Sequence, residues 1–81
     1  VRKSNLRKII LTPRERDYII DAALGLTVAQ SATRRNVAIN TVKMMIRRAK
    51  AALGATTIAN AVAIAIINGE ITAQDLKGHT T

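Results

Sequence analysis

Residues Ile39 to Leu53, INTVKMMIRRAKAAL, carry the pattern that most restricts what this chain can fold into. Val42, Ile46, Ala49 and Leu53 recur at helical spacing, so one edge of the stretch is apolar and calls for burial. The reverse side holds Asn40, Met44, Arg47, Arg48 and Ala51, flanked by Lys43 and Lys50. The rest of the chain must cover the first edge and leave the second open. With 81 residues it forms one small domain, of a size that hides only about 60 % of its surface on folding. There is no Phe, no Trp and a single Tyr, so the interior is built from Ile, Leu, Val, Met and Ala, which favours close helix-on-helix packing.

Charge narrows the partners. Thirteen Lys and Arg against five Asp and Glu give a formal charge of +8 and a pI near 11.3, which at this size implies a polyanionic partner or an anionic surface. Between Asp21 and Glu70 there is no acidic residue, and that gap contains Arg34, Arg35, Lys43, Arg47, Arg48 and Lys50. The absence of Cys excludes disulfides and thiolate metal sites and is compatible with a reducing intracellular setting. The most apolar run, Ala61 to Ile67, is far short of the roughly 20 residues of a bilayer span, and no signal-peptide pattern is present. A cytoplasmic, nucleoid-associated protein with no membrane partner is expected.

Residues 1–10 (VRKSNLRKII) set Arg2, Lys3, Arg7 and Lys8 around a few aliphatics without caps or period, and read as a basic N-terminal arm, either a solvated tail or a segment reaching phosphates or a minor groove. Thr12-Pro13-Arg14-Glu15 is a helix start, with Thr12 as N-cap, Pro13 in the first position and Glu15 closing a capping box. This first helix should run to about Leu24 with Tyr18, Ile19, Ala22 and Ala23 inward, and Gly25 supplies its stop. Thr27 and Gln30 repeat the capping box and open a shorter helix to about Asn36, and Asn36 to Asn40 makes a turn into the basic helix, which Gly54 ends. Two helices joined by a tight turn, the second basic and amphipathic, form the skeleton of a helix-turn-helix.

The last helix, from Thr56 or Thr57 to about Asn68, is apolar nearly all round. Ile58, Ala61, Val62 and Ala65 cluster on one side, while Ala59, Ala63, Ile64 and Ile67 lie on or near the other. Two apolar faces need two partners, and the second is either another copy across a two-fold axis or the segment Leu6 to Leu11. Residues 72–81 read as a short turn and a loose tail.

From Leu11 to Ile71 the chain resembles the LuxR-type (GerE-like) helix-turn-helix domain of bacterial transcription regulators. The resemblance rests on Leu11-Thr-Pro-Arg-Glu-Arg-Asp17, Gly25-Leu-Thr27, Ala32 and Ile39 at core-like spacing, Thr41-Val42-Lys43, Leu53-Gly54, Ala61-Val62, Ala65 and Gly69-Glu-Ile71. It implies an all-α, small four-helix domain over residues 11–71, its third helix in the DNA major groove and its fourth pairing two subunits. Carried onto this sequence, Lys43, Met44 and Arg47 would read bases, and Arg and Lys are suited to the guanine O6 and N7 acceptors. Thr27, Arg34, Asn40, Thr41, Arg48 and Lys50 are candidates for phosphate contact, and Ala59, Ala63, Ile64 and Ile67 for the dimer interface. The sequence departs from the family pattern at Ser31, where a large aliphatic is expected, at Arg35, where leucine is expected, at Ala38, where a serine cap is expected, and at Met45, usually histidine.

The expected function is sequence-specific double-stranded DNA binding by a small homodimeric transcriptional regulator of bacterial or phage type. Thr41 to Lys50 is also similar to the recognition helix of sigma-factor region four, so an interaction module that turns the basic face to an acidic partner, such as transcription machinery, is the alternative. No catalysis, cofactor or metal is expected: the carboxylates sit in two clusters at opposite ends, the lone His79 lies in the tail, and no phosphate loop or ligand spacing is present. Tyr18, the sole aromatic, is assigned to the core, which leaves no stacking platform for single strands.

Overall fold

The computed structural model describes residues 10–77, which form five helices and, among the described residues, no strand. They are α1 (Pro13–Ala23), α2 (Val28–Arg35), α3 (Ile39–Leu53), α4 (Ile58–Ile67) and α5 (Ala73–Lys77). Four helices were expected, and the fifth occupies part of the predicted loose tail. It forms because Thr72 and Asp75 cap each other: the Thr72 N–H donates to Asp75 Oδ2 at 2.8 Å and the Asp75 N–H to Thr72 Oγ1 at 3.3 Å. The basic arm, apart from Ile10, and the end of the tail with His79 lie outside the described residues.

Local signals set most helix ends. The Thr12–Glu15 capping box is complete, with the Glu15 N–H 3.1 Å from Thr12 Oγ1 and the Thr12 N–H 3.0 Å from Glu15 Oε1. Thr27 and Gln30 form the same pair at the head of α2. At the end of α1, the Gly25 N–H reaches the Ala22 carbonyl and the Leu26 N–H the Asp21 carbonyl, a Schellman stop. The α2–α3 turn uses the same device with Asn36, which holds φ 56° and is the one non-glycine residue with positive φ among those described. Asn tolerates the left-handed region better than other side chains. Ala38 caps α3 without any side-chain bond, in keeping with the absence of serine there.

The core has two parts. Leu11, Ile19, Ile20, Ala49, Leu53, Ala61, Ala65 and Ile71 form the larger, where α1, α3 and α4 meet. Ala49, Ala61 and Ala65 are wholly buried, so α3 and α4 approach closely without large side chains between them. Tyr18, Ala32, Val42 and Met45 form the smaller part under α2. Several inward positions differ from the expected stripes. In α1, Ile20 and Asp21 are buried while Ala22 and Ala23 are half-exposed. In α3, Met45 is buried and Ile46 only half so, because α1 packs along the Met45 edge as α2 packs along the other. Ile39, given core-like spacing in the sequence, is 46 % exposed at the first turn of α3, ahead of the crossing with α1.

The small core is joined by a polar one. Asp21, 1 % exposed, accepts from Ser31 Oγ at 2.6 Å, from Arg35 Nε at 2.9 Å and from Arg35 Nη2 at 2.8 Å, with Arg34 Nη1 at 3.4 Å. Arg35 also donates to the Asp17 carbonyl and lies 5.7 Å from the Tyr18 ring centroid. Ser31 and Arg35, the two positions in α2 where aliphatic side chains were expected, thus both serve one carboxylate of α1. A second tie closes the other end of the fold. The buried Glu70 carboxylate accepts from the N–H groups of Leu11 (2.8 Å) and Ile10 (3.2 Å), and Arg16 donates to the Glu70 carbonyl while pairing with Asp75 at 2.6 Å.

Removing one partner of a buried pair leaves the other charge uncompensated, so Arg35→Leu should lower unfolding free energy by about 3 kcal/mol in urea melts. Replacing Asp21, Ser31 and Arg35 together by aliphatics should recover most of that loss. Burial alone would push the Asp21 carboxyl up, but the bonds from Arg35 and Ser31 and the charges of Arg35 and Arg34 outweigh it and hold it below its ordinary value. A carboxyl depressed in the folded state contributes stability above its unfolded pKa, and that contribution is lost as pH falls through the folded value. Urea midpoints should therefore drop from about pH 4 downward, and the drop should be shallower in Asp21→Asn.

Candidate nucleic-acid interface

Helix α3 is held by its buried edge against α1, α2 and α4, and the opposite arc faces solvent. Asn40, Lys43, Met44, Arg47, Arg48, Ala51 and Ala52 are all exposed along it, with Thr41 and Lys50 half-exposed at its margins. Spacing of 3.6 residues per turn sets Asn40, Met44, Arg47 and Ala51 in the middle of the arc, Lys43 and Lys50 on the α2 side, and Thr41 and Arg48 on the α1 side. The three predicted base-facing residues therefore share one face, with Lys43 nearer its margin than Met44 or Arg47.

Two shallow grooves flank the arc. On the α2 side, Val28, Lys43, Ile46, Arg47 and Lys50 line a hollow of about 250 Å³. The first residue of α2, next to its cap Thr27, therefore shares a groove with three cations of α3. On the α1 side, Thr12, Pro13, Arg14, Glu15, Thr41, Met44, Met45 and Arg48 line a groove of about 460 Å³. Arg14 sits there, exposed, and sequence reading gave it no role. Its position inside a helix-start motif drew attention to the cap, while its nearness to α3 is visible only once α1 and α3 are packed.

The electrostatics of the arc follow from where the carboxylates went. Glu15 is engaged by the Thr12 N–H, Asp17 and Asp21 by Arg35, Glu70 by the Leu11 and Ile10 N–H groups, and Asp75 by Arg16 and Thr72. All five acidic residues are thus tied up on α1 or around α5. Among the described residues, the side chains of Lys43, Arg47, Arg48 and Lys50 enter no ion pair. Arg34, expected to reach phosphate, is instead drawn partly inward to Asp21.

The expected second face of α4 is only partly as predicted. Ala59, Ala63 and Ile67 are exposed, Ile67 at 81 %, but Ile64 is half-buried and packs against the main core. Ile66, 47 % exposed, completes the open stripe in its place. Leu11, the end of the segment offered as an alternative cover, goes into the core.

Among the described residues no group of three His, Asp or Glu is placed to hold a metal ion, and no single helix is long and apolar enough to cross a membrane. Comparison of the chain with protein-family models, with curated proteins and with solved structures found no match.

Proposed function

We propose that this protein binds double-stranded DNA in a sequence-specific manner, as a small homodimeric transcriptional regulator with α3 in the major groove. In this reading α2, the Asn36 turn and α3 act as a helix-turn-helix of LuxR type. The observation that carries the reading is the basic arc of α3, whose cations pair with no carboxylate among the described residues. A helix of 15 residues is about 22 Å long and about 10–12 Å across, which suits a major groove about 12 Å wide. Arg47 and Lys43 are the long donors able to reach the O6 and N7 acceptors of guanine, and Met44 offers apolar contact to a thymine methyl. Lys50 lines the groove on the α2 side, and Thr27, exposed next to the lining residue Val28, is the other candidate for phosphate contact there; Asn40, Thr41 and Arg48 lie along the rest of the arc. Arg34, exposed on α2 while 3.4 Å from Asp21, is a further candidate for phosphate contact.

Homodimerisation is proposed through α4. Its open stripe of Ala59, Ala63, Ile66 and Ile67 is apolar, and its two alanines permit close approach of a second copy about a two-fold axis. Two copies would present two arcs to a symmetric site.

Selection from random duplexes should yield a preferred sequence. Arg47→Ala should weaken binding to it by about 1–3 kcal/mol and relax preference at one or two positions. Unchanged affinity and selectivity in that variant would remove Arg47 from base reading. Ile67→Asp should sediment as a monomer and lose cooperative binding to a two-half-site duplex; a wild-type protein that stays monomeric at high concentration would contradict the dimer.

A further inference from the structure

A helix lying in a major groove is bordered by the phosphate backbones of both strands, one along each margin. The α2 side of α3 already has a basic groove in Lys43, Arg47 and Lys50. The α1 side has its own, and its cations come from two different helices: Arg48 from α3 and Arg14 from the first turn of α1. We propose that this α1–α3 groove seats a phosphate of the second strand, with Arg14 and Arg48 as its donors, so that the protein grips both backbones around α3.

Four observations support the assignment. Arg14 and Arg48 are both exposed, and among the described residues neither side chain is engaged in an ion pair. The groove is continuous with the reading face, because Met44 and Thr41 line it together with Thr12 and Pro13. The one carboxylate at its rim, Glu15, accepts the Thr12 N–H in the capping box and forms an ion pair with neither guanidinium. Finally, the start of α1 is held in place from below by the Glu70 carboxylate, which binds the N–H groups of Leu11 and Ile10. Arg14 therefore projects from a fixed base, and the sequence immediately upstream carries Arg2, Lys3, Arg7 and Lys8.

Phosphate contacts position a protein without reading sequence, so the signature of this site differs from that of Arg47. The inference rests on the DNA-binding reading, and the experiment separates the two. Fluorescence anisotropy would follow wild type, Arg14→Gln and Arg47→Ala on the selected duplex and on an unrelated duplex, across a range of salt. Arg14→Gln should lower affinity for both duplexes by a similar factor, roughly 3- to 10-fold, and reduce the slope of log K against log salt by about 0.9 for the lost contact. Because Arg14 is exposed, the thermal midpoint of this variant should match wild type. If Arg14→Gln keeps wild-type affinity and slope while Arg47→Ala still changes base preference, the second phosphate seat is wrong and the DNA-binding reading stands. A change in base preference in Arg14→Gln would make it a base reader and overturn the backbone assignment. Failure of the wild type to bind any duplex would overturn both.

Discussion

The position of α2 depends on a single buried carboxylate. Asp21 projects from α1 into the space beneath α2, and Ser31, Arg34 and Arg35 converge on it. Of the eight residues of α2, Ala32 is the one apolar side chain that is fully buried, with Val28 half-buried against the smaller core, so the apolar contact that helps place it is limited. An ion pair at this depth is a weak source of net stability, since desolvation offsets much of the attraction. What it supplies is direction: a bidentate guanidinium and a hydroxyl on one carboxylate admit few relative placements of two helices. The Tyr18 ring beneath Arg35 restricts them further.

That arrangement also sorts the charge of the molecule. With a net charge of +8, a random scatter of acidic groups would still neutralise part of any surface. Here every carboxylate is held by the framework. Two complete helix caps, two anchor α2, and one ties the head of α1 to the turn after α4. The cations of α3 are left to face solvent together, without an ion-pair partner among the described residues, and Glu15, at the rim of the α1-side groove, is the one carboxylate beside the arc.

Much of this was legible from sequence, and the boundary between legible and hidden is physical. Caps and stops depend on residues three or four apart, so Thr12 with Glu15, Thr27 with Gln30, and the stops at Gly25 and Gly54 could be read directly. Periodicity located α3 to its ends. It gave the buried arc less well, because Met45 and Ile46 sit at adjacent angles and only the packing of α1 decides between them. Ser31 and Arg35 looked like flaws in an apolar pattern because their partner lies ten and fourteen residues away on another helix. Arg14 was missed as a member of the basic surface for the same reason. On α4, where nearly every residue is apolar, hydrophobicity could not tell Ile64 from Ile66, and only the packing of α4 on the rest of the core assigns one inward and one outward.

The scarcity of apolar burial in α2 bears on motion. Segments with few buried apolar contacts open locally at lower free energy than the whole domain unfolds. By that measure α2, which joins only the smaller core, should open at lower free energy than α1, α3 and α4, which share the larger one. Its amides should exchange with solvent by detaching from the Asp21 anchor while the scaffold beneath stays closed. A polyanion lying across Val28, Lys43, Arg47 and Lys50 would bridge α2 to α3 from outside, fastening a lightly buried helix of the fold at the moment of binding.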